Sequence, residues 1–212
     1  MLTMKSSTRP LASPWSGTAL RTAERDNKRH AVIRAAARAF ATRGYHSTSL
    51  DELASALHVT KPTIYSYVGS KEELLFECFR LGVDQILAGF SAAEARGGNG
   101  RERLMTVAKH YAVAVTGDFG WCMVRFEEEG LSQAMSRRIK RLKSQVDRGL
   151  RDLVQQGVAD GSIRACDEKM AAFALAGALN WIAHWHRADQ ALTSADIADR
   201  ILDVFELGLA PR

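Results

Sequence analysis

Apolar residues recur from about Glu24 onward at the spacing of one face of an α-helix, and this periodicity limits the folds open to the chain. The first helix carries its predicted buried stripe at five positions: Ile33, Ala36, Ala37, Phe40 and Ala41. The alternation of apolar and polar residues that is typical of a half-buried strand never persists beyond a few residues. No repeat with a period of about 20–50 residues occurs, which excludes a solenoid. We therefore predict an all-α fold.

Capping signals divide the N-terminal part of the chain into short helices. Ser49 and Glu52 form the pattern of a capping box, in which serine accepts a bond from the first helical turn and glutamate bonds back. Thr60 is positioned to cap a third helix, which has a proline in its first turn, where a missing N–H costs little. The segment from Ser70 to Glu73 repeats the box and predicts a longer helix to about residue 95.

The Gly-Gly-Asn-Gly segment that ends at Gly100 interrupts the helical pattern. The segment from Thr193 to Asp196 has the residues of a helix cap and predicts the start of the last helix. Downstream of the glycines, the pattern predicts five helices, near residues 101–117, 119–128, 132–157, 167–187 and 194–209.

The composition is that of an ordinary globular protein, with 46% hydrophobic and 25% charged residues in a chain of 212. Three cysteines lie far apart without a CxxC pair, which argues against a disulfide framework or a zinc knuckle and suits a reducing cytosol. The longest apolar run, from Ala171 to Trp185, has 15 residues and contains Asn180 and His184. A transmembrane helix needs about 20 apolar residues. We expect a soluble, cytoplasmic protein.

Positive charge is concentrated in the first third of the chain. Residues 1–71 hold 4 Lys and 7 Arg against 4 acidic residues, a net charge of +7, whereas residues 72–212 carry −2, which gives +5 in total. A basic segment followed by a slightly acidic one is typical of a nucleic-acid-binding domain joined to an unrelated one. We therefore expect a DNA-binding head at residues 24–71 and a helical body at residues 72–212. A merely soluble basic surface is the alternative.

Residues 1–23 contain three basic residues, no acid, two prolines and many Ser and Thr residues. A transit peptide has a similar composition, but no regular amphipathic pattern is present. We expect a flexible basic arm. Such an arm either lies in the minor groove of DNA, as in some DNA-binding domains, or is a solvated tail.

Two short helices joined by a turn of three or four residues predict a helix-turn-helix, whose second helix enters the major groove of DNA. Its first turn must present short polar side chains to base edges and phosphates, and Thr60, Lys61 and Thr63 meet that requirement. Ile64 is suited to the inward side. The remaining polar groups, Tyr65, Tyr67 and Lys71, are placed to reach phosphates or thymine methyl groups.

The stretch GYHSTSLDELASALHVTKPTIYSYVGSKEEL closely resembles the DNA-binding signature of TetR-family transcriptional regulators. The resemblance covers about residues 27–75 and fixes residue types at many spaced positions. Two positions depart from it. His58 stands where the family usually has glycine in the turn between the helices, so we expect a left-handed backbone there at some cost. Val68 replaces the usual phenylalanine and thins the packing between the third and fourth helices.

The resemblance implies roles for eight residues of the head. Thr48 and Ser49 match the phosphate-contacting start of the second helix. Tyr67 and Lys71 match the phosphate contacts that flank the third helix. The face that contacts bases and phosphates is matched by Thr60, Lys61, Thr63 and Tyr65.

For the body, the resemblance implies dimerisation through the last two helices and an effector cavity between the middle ones. The helix at 167–187 is apolar on nearly all sides, which predicts burial, and its small residues allow close approach of a second helix. The predicted homodimer interface consists of Ala174, Ala178, Ile197, Ile201, Val204 and Phe205.

The segment Asn180-Trp-x-x-x-Trp185-x-Arg187 is similar to one found in TetR-family regulators that respond to fatty acyl-CoA or related thioesters. Together with an excess of aromatic residues, it predicts an apolar or acyl-CoA-like effector, bound between helices 101–117 and 167–187 near polar anchors and a charge partner such as Arg187. The alternative is that these rings only fill the core. The predicted effector site consists of Tyr111, Phe119, Trp121, Arg125, Phe126, Asn180, Trp181, His184 and Trp185.

Cofactor and metal sites are not expected. His184 and His186 are two positions apart, about 200° around a helix, so they cannot chelate one ion together. Glu127, Glu128 and Glu129 favour a solvated helix end over a catalytic cluster. The sequence therefore predicts a homodimeric, ligand-responsive repressor of a double-stranded DNA operator, with no membrane partner. An architectural DNA-binding protein without a ligand and an all-α enzyme remain as alternatives, although the enzyme lacks any nucleophile motif.

Overall fold

The computed structural model describes residues 16–126, 130–186 and 191–207, and the regular elements in these ranges are α-helices. The predicted all-α fold is confirmed. In chain order the helices are α1 Ser16–Arg43, α2 Leu50–Ala56, α3 Lys61–Tyr65, α4 Lys71–Arg96, α5 Gly100–Thr116, α6 Gly120–Val124, α7 Gln133–Ala159, α8 Glu168–Trp185 and α9 Ser194–Leu207.

Two helix bounds differ from those predicted. α1 begins at Ser16, so residues 16–23, which were expected to belong to a flexible arm, are the first turns of a helix. Ala19, Leu20, Arg21 and Ala23 favour a helix there, and no proline lies between Pro14 and the end of α1. Residues 1–15 lie outside the described ranges. The helix predicted at 119–128 is shorter than expected, since α6 spans only Gly120–Val124.

The caps explain where the helices of the head begin. The capping box of α2 is confirmed, since the Ser49 hydroxyl accepts from the Glu52 N–H and the Glu52 carboxylate accepts from the Ser49 N–H, both at 3.1 Å. Ser70 caps α4 by accepting from the N–H of Glu73 at 3.0 Å. Thr60 is the N-cap residue of α3 but makes no side-chain cap bond.

Two buried clusters of apolar side chains organise the molecule. The first, which we call the head cluster, joins α1, α2, α3 and the start of α4, with Ile33, Phe40 and Ile64 at its centre. The second fills the space among α4, α5, α7, α8 and α9. α4 contributes Leu75 to the first and Phe79 to the second, so one rigid helix connects head and body. The domain boundary at residue 71 stays a prediction.

The turn between α2 and α3 has the conformation expected from the sequence. His58 has a φ of 53°, which is the left-handed region that favours glycine, and its N–H donates to the Ser55 carbonyl. Val68 is buried against the head cluster, so the smaller side chain still packs. None of the helices in the described ranges is long and apolar enough to cross a membrane.

Candidate DNA-binding surface and effector region

The α2–α3 unit fixes one side of α3 in the protein and leaves the other side free. Ile64 is fully buried, and Leu50 and Leu53 of α2 are buried in the same cluster. Because α3 has a single buried anchor, its remaining side chains are directed away from the core. This is the arrangement that a helix needs to enter the major groove.

The four residues expected to contact bases and phosphates come together on this free side. Thr60, Lys61 and Tyr65 are exposed and Thr63 is half-buried. The hydroxyl oxygens of Thr60 and Thr63 are 2.9 Å apart, and the Lys61 ammonium donates to the Asp51 carboxylate at 2.8 Å. This hydrogen bond raises the pKa of Lys61 above its ordinary value. Lys61 is therefore held beside α2 as a cation paired with Asp51.

Thr48 and Ser49 have different environments, and the role implied for Thr48 needs correction. Only about 2% of Thr48 is exposed, and its hydroxyl donates to the carbonyl oxygens of Gly44, at 2.8 Å, and Ala39, at 3.3 Å. The side chain therefore ties the end of α1 to the start of α2 and has no free donor for a phosphate. Ser49 is half-buried and caps α2, which still leaves its O–H as a donor.

The flanking residues Tyr67 and Lys71 are partly used inside the protein. The Lys71 ammonium donates to the His46 carbonyl at 3.2 Å and lies 4.5 Å from the centre of the Tyr45 ring. Partial burial lowers the pKa of Lys71. Tyr67 is half-buried and packs against the head cluster. Lys71 thus holds the turn before α2 in addition to any contact with phosphate.

Arg25 is a basic residue near α3 that the sequence pattern did not identify. It is exposed on α1, and its guanidinium donates to the Ser66 carbonyl at 3.4 Å, just beyond the end of α3. The sequence of an exposed helix face does not indicate which other helices lie near it. Periodicity alone therefore could not have placed Arg25 beside the DNA-binding surface.

The nine residues of the predicted effector site do not line one cavity. Tyr111 is buried in the body, where burial raises its pKa and the Asn180 side chain is its hydrogen-bond partner. Phe119, Trp121 and Phe126 belong to the head cluster instead.

On the head side, the rings of Trp121 and Phe126 are 6.1 Å apart, and Phe126 also meets Tyr45 at 5.5 Å. Arg125 is exposed. The aromatic residues that follow α5 therefore pack against the head cluster.

The aromatic end of α8 also needs correction, because it faces outward in the monomer. Trp181 is 64% exposed and Trp185 is 41% exposed, while His184 is exposed and stacks on Trp181 with ring centres 4.7 Å apart. These three residues cannot form the wall of an internal pocket. Arg187 lies outside the described residues, as do Glu127, Glu128 and Glu129.

α8 and α9 together carry an outward apolar face, which we call the α8–α9 face. On α9, Val204 and Phe205 are exposed, but Ile197 is only 3% exposed and belongs to the body core, so the interface role expected for Ile197 needs correction. Ile201 packs partly against the same core, and Ala178 is half-buried. On α8, the exposed residues share one side of the helix: Met170, Phe173, Ala174, Gly177, Trp181, His184 and Trp185.

Among the described residues, ion pairs connect the head to the body at two places. Asp118, which follows α5, contacts Arg34 at 3.3 Å and Arg38 at 3.0 Å on α1. Glu77 of α4 contacts Arg29 of α1 at 2.7 Å and Arg80 at 2.9 Å. The Glu77 side chain is 9% exposed, so its charge depends on these partners. A movement of α4 or of the segment after α5 therefore acts directly on α1.

We expect Glu77→Gln to lower the free energy of unfolding by about 3 kcal/mol at pH 7, because it leaves the two guanidinium groups without their shared anion. Burial alone would raise the pKa of Glu77, but the hydrogen bonds from Arg80 and Arg29 hold it below its ordinary value. The stabilisation is therefore complete above the unfolded pKa of about 4.3 and is lost as the pH falls through the lower folded value. Urea unfolding followed by circular dichroism at neutral and acidic pH measures both quantities.

The matched control is Asp84→Asn, which removes an exposed partner of Arg80 and should cost less than about 1 kcal/mol. At acidic pH, protonated Glu77 has the shape and charge of glutamine, so wild type and Glu77→Gln should become equally stable. A difference between them that stays constant over the whole pH range would contradict a stabilising charge at this position.

Comparison with known protein families agrees with this geometry. Residues 32–78 match the family model described as bacterial regulatory proteins, tetR family, and residues 97–209 match the model described as tetracyclin repressor-like, C-terminal domain. The two matches correspond to the helix-turn-helix and to the helices of the body. The second match alone covers more than half of the chain.

Two characterised relatives and one solved structure resemble the chain. The transcriptional repressor KstR2 of Rhodococcus jostii (strain RHA1) is 26% identical over 203 residues, which cover 89% of this chain and 94% of that protein. The transcriptional activator FasR of Mycolicibacterium smegmatis is 28% identical over 109 residues, which cover 51% of this chain and only 50% of that protein. The crystal structure of AibR in complex with isovaleryl coenzyme A and operator DNA superposes with a TM-score of 0.72 at 29% identity and covers 83% of this chain and 96% of that one.

Proposed function

Because this chain belongs to the TetR family of bacterial transcriptional regulators, we propose that it is a ligand-responsive repressor. It binds a palindromic operator in double-stranded DNA as a homodimer, acts in the cytoplasm where bacterial DNA lies, and leaves the operator when an apolar or acyl-CoA-like effector binds the body.

The observation that carries this proposal is the surface of α3. A fully buried Ile64 supports a free side made of Thr60, Lys61, Thr63 and Tyr65, all within the first two turns of the helix. Short hydroxyl groups approach base edges, and a cation contacts phosphates, so this side can contribute both specificity and affinity.

The proposed homodimer uses the α8–α9 face. Exposed rings and methyl groups on adjacent helices are unusual on a monomer, and a second copy of the same face covers them by two-fold symmetry. Two heads related by that axis suit a palindromic operator whose half-sites are about 34 Å apart, one turn of DNA.

The proposed effector class rests on two relatives. AibR was crystallised with isovaleryl coenzyme A and operator DNA, and the curated relatives include a fatty acid metabolism regulator of Bacillus subtilis, 21% identical over 182 residues. Release from DNA requires that the effector favour a head separation that does not fit the operator. A preference of about 100-fold corresponds to about 2.7 kcal/mol of coupling.

An architectural DNA-binding protein is the second candidate, and the two candidates differ in how they respond to ligands. The architectural protein would bind DNA regardless of sequence and would not respond to small molecules. An all-α enzyme would instead turn over a substrate.

We expect acyl-CoAs or fatty acids to release the operator. The operator is first isolated by selecting genomic fragments on the purified protein, and release is then followed by fluorescence anisotropy of the labelled fragment. An about 100-fold loss of affinity for the operator on saturation with effector is the expected result. If acyl-CoAs, free fatty acids and a broad apolar library all leave the anisotropy unchanged, the effector part of the proposal is wrong and only the DNA-binding head remains supported.

A further inference from the structure

A cavity of about 640 Å³ lies in the body among α5, α7, α8 and α9, away from the aromatic residues at the end of α8. It is bounded by the first turns of α5 and α8 and the last turns of α7 and α9. Its volume is within the range of small-molecule sites, about 300–1,000 Å³. The apolar part of its wall includes Leu104, Met105, Val154, Ile163, Ala171 and Leu175.

The rim of this cavity is positively charged. Arg101 and Arg164 are both exposed and line it, against one carboxylate, that of Glu206. Arg101 and Glu206 are 3.8 Å apart, too far for a hydrogen bond. Arg164 has no ion-pair partner among the residues that the structure describes. The rim therefore has one guanidinium group free and a second one weakly held.

Hydrogen bonds hold the backbone around the rim in place. The N–H of Gly100 donates to the Asp160 carboxylate at 2.6 Å, and the N–H of Arg101 donates to the Ser162 hydroxyl at 3.1 Å. A Cβ added at Gly100 would lie 2.2 Å from the Gly157 nitrogen, so the start of α5 packs directly on the backbone of α7. A site with a rigid frame loses little entropy when it binds a ligand.

We propose that this cavity is the effector site and that it binds an amphipathic anion. An acyl chain lies among the apolar side chains, and its anionic group, a carboxylate or the phosphates of a thioester carrier, pairs with Arg164 and Arg101. Guanidinium groups match both anions with two parallel hydrogen bonds. This assignment names the binding site for the proposed function. Binding in the cavity does not depend on that function, but the release of DNA on binding does.

The same geometry connects the cavity to the proposed dimer interface. An anion on Arg101 competes with Glu206, which stands in the last turn of α9 beside Val204 and Phe205. Those two side chains line the cavity and are also exposed on the α8–α9 face. An occupied cavity therefore changes the environment of the residues on which the second subunit would pack.

Isothermal titration calorimetry on the full chain tests the site with three probes of equal chain length: octanoate, octanoyl-CoA and the neutral 1-octanol. We expect at least one anion to bind more tightly than 1-octanol. Arg164→Gln should weaken that anion about tenfold, and Ala171→Phe, which places a ring in the cavity, should abolish binding. Arg137→Gln on the exposed side of α7 is the matched control and should bind like wild type.

If only octanoate binds, the anionic group that the cavity recognises is a free carboxylate. If only octanoyl-CoA binds, it is the phosphates of the thioester carrier. Circular dichroism checks the fold of Ala171→Phe, and if that variant is unfolded, Arg164→Gln decides. The proposal is overturned if neither anion binds wild type, or if Arg164→Gln and a folded Ala171→Phe bind both anions unchanged.

Operator anisotropy on the same samples separates this inference from the proposed function. If effectors release DNA equally well from wild type, Arg164→Gln and Ala171→Phe, the repressor proposal stands and the cavity is not its effector site. If the anions bind in the cavity but leave the operator bound, the cavity assignment as a binding site stands and the release mechanism is wrong.

Discussion

Raising the salt concentration from about 50 to about 200 mM is expected to weaken operator binding by about 10³–10⁵-fold, the loss that accompanies the neutralisation of about 6–10 phosphates. The basic head supports a number of this order. Residues 1–71 carry a net charge of +7 in each subunit, and Lys61 and Arg25 lie on or beside α3. Anisotropy titrations of the operator at five salt concentrations give the slope of log affinity against log salt.

Lys61→Gln should make that slope shallower by about 1 per subunit, because one phosphate contact is lost. The effect includes the release of Asp51, which pairs with Lys61 in the free protein and repels phosphate once Lys61 is gone. Arg137→Gln, the same loss of one positive charge on the body, should leave the slope unchanged. A slope near zero for wild type, or equal slopes for all three proteins, would contradict phosphate binding by the head.

Gly177→Arg is expected to convert the protein to monomers and to weaken operator binding by about 10²–10⁴-fold, the gain that two linked heads provide over one. Gly177 is exposed near the middle of the α8–α9 face, and a Cβ added there meets nothing within 4 Å. The arginine therefore fits the monomer without strain, and replacing a helical glycine favours α8 itself. Only a second subunit packed on this face would be displaced.

Analytical ultracentrifugation measures the oligomeric state, and thermal unfolding checks the fold. Gln155→Arg, an equal addition of charge on the exposed side of α7, is the control and should remain dimeric. Ile197 is unsuitable for this test, because it is part of the body core and a charge there would unfold the monomer. A Gly177→Arg protein that stays dimeric, or a monomer that binds the operator as tightly as wild type, would contradict the proposed interface.

Properties that depend on neighbours in sequence could be predicted. The helix-turn-helix, the capping box at Ser49 and the left-handed turn at His58 each involve residues within a few positions of one another. The bounds of α5, α7, α8 and α9 follow from periodicity and agree with the prediction to within two residues.

Properties that depend on which side of a helix meets a neighbour could not be predicted. α8 is apolar on nearly all sides, so its pattern does not distinguish the buried Leu179 from the exposed Trp181. α9 likewise has Ile197 facing the core and Phe205 facing outward. The free thiols of Cys78 and Cys122, far apart in sequence, are both buried in the head cluster, a proximity that only the packing of α4 and α6 creates.

Thr48 shows a further limit of reasoning from a motif. Its position matches a phosphate-contacting residue, but its hydroxyl donates to the carbonyl oxygens of Ala39 and Gly44. A motif fixes the type of residue and its place along the chain. The hydrogen bond from Thr48 to Ala39, nine positions earlier, depends instead on how α1 ends.

Competition between operator and random DNA tests most directly whether α3 makes this protein a sequence-specific regulator. A labelled operator is displaced by unlabelled operator or by random duplex of equal length, with wild type and with Thr63→Ala. We expect the operator to compete at least about 10³-fold better than random DNA, and we expect Thr63→Ala to reduce that discrimination by about 1–3 kcal/mol at particular base pairs. Equal competition by operator and random DNA would contradict sequence-specific binding by α3.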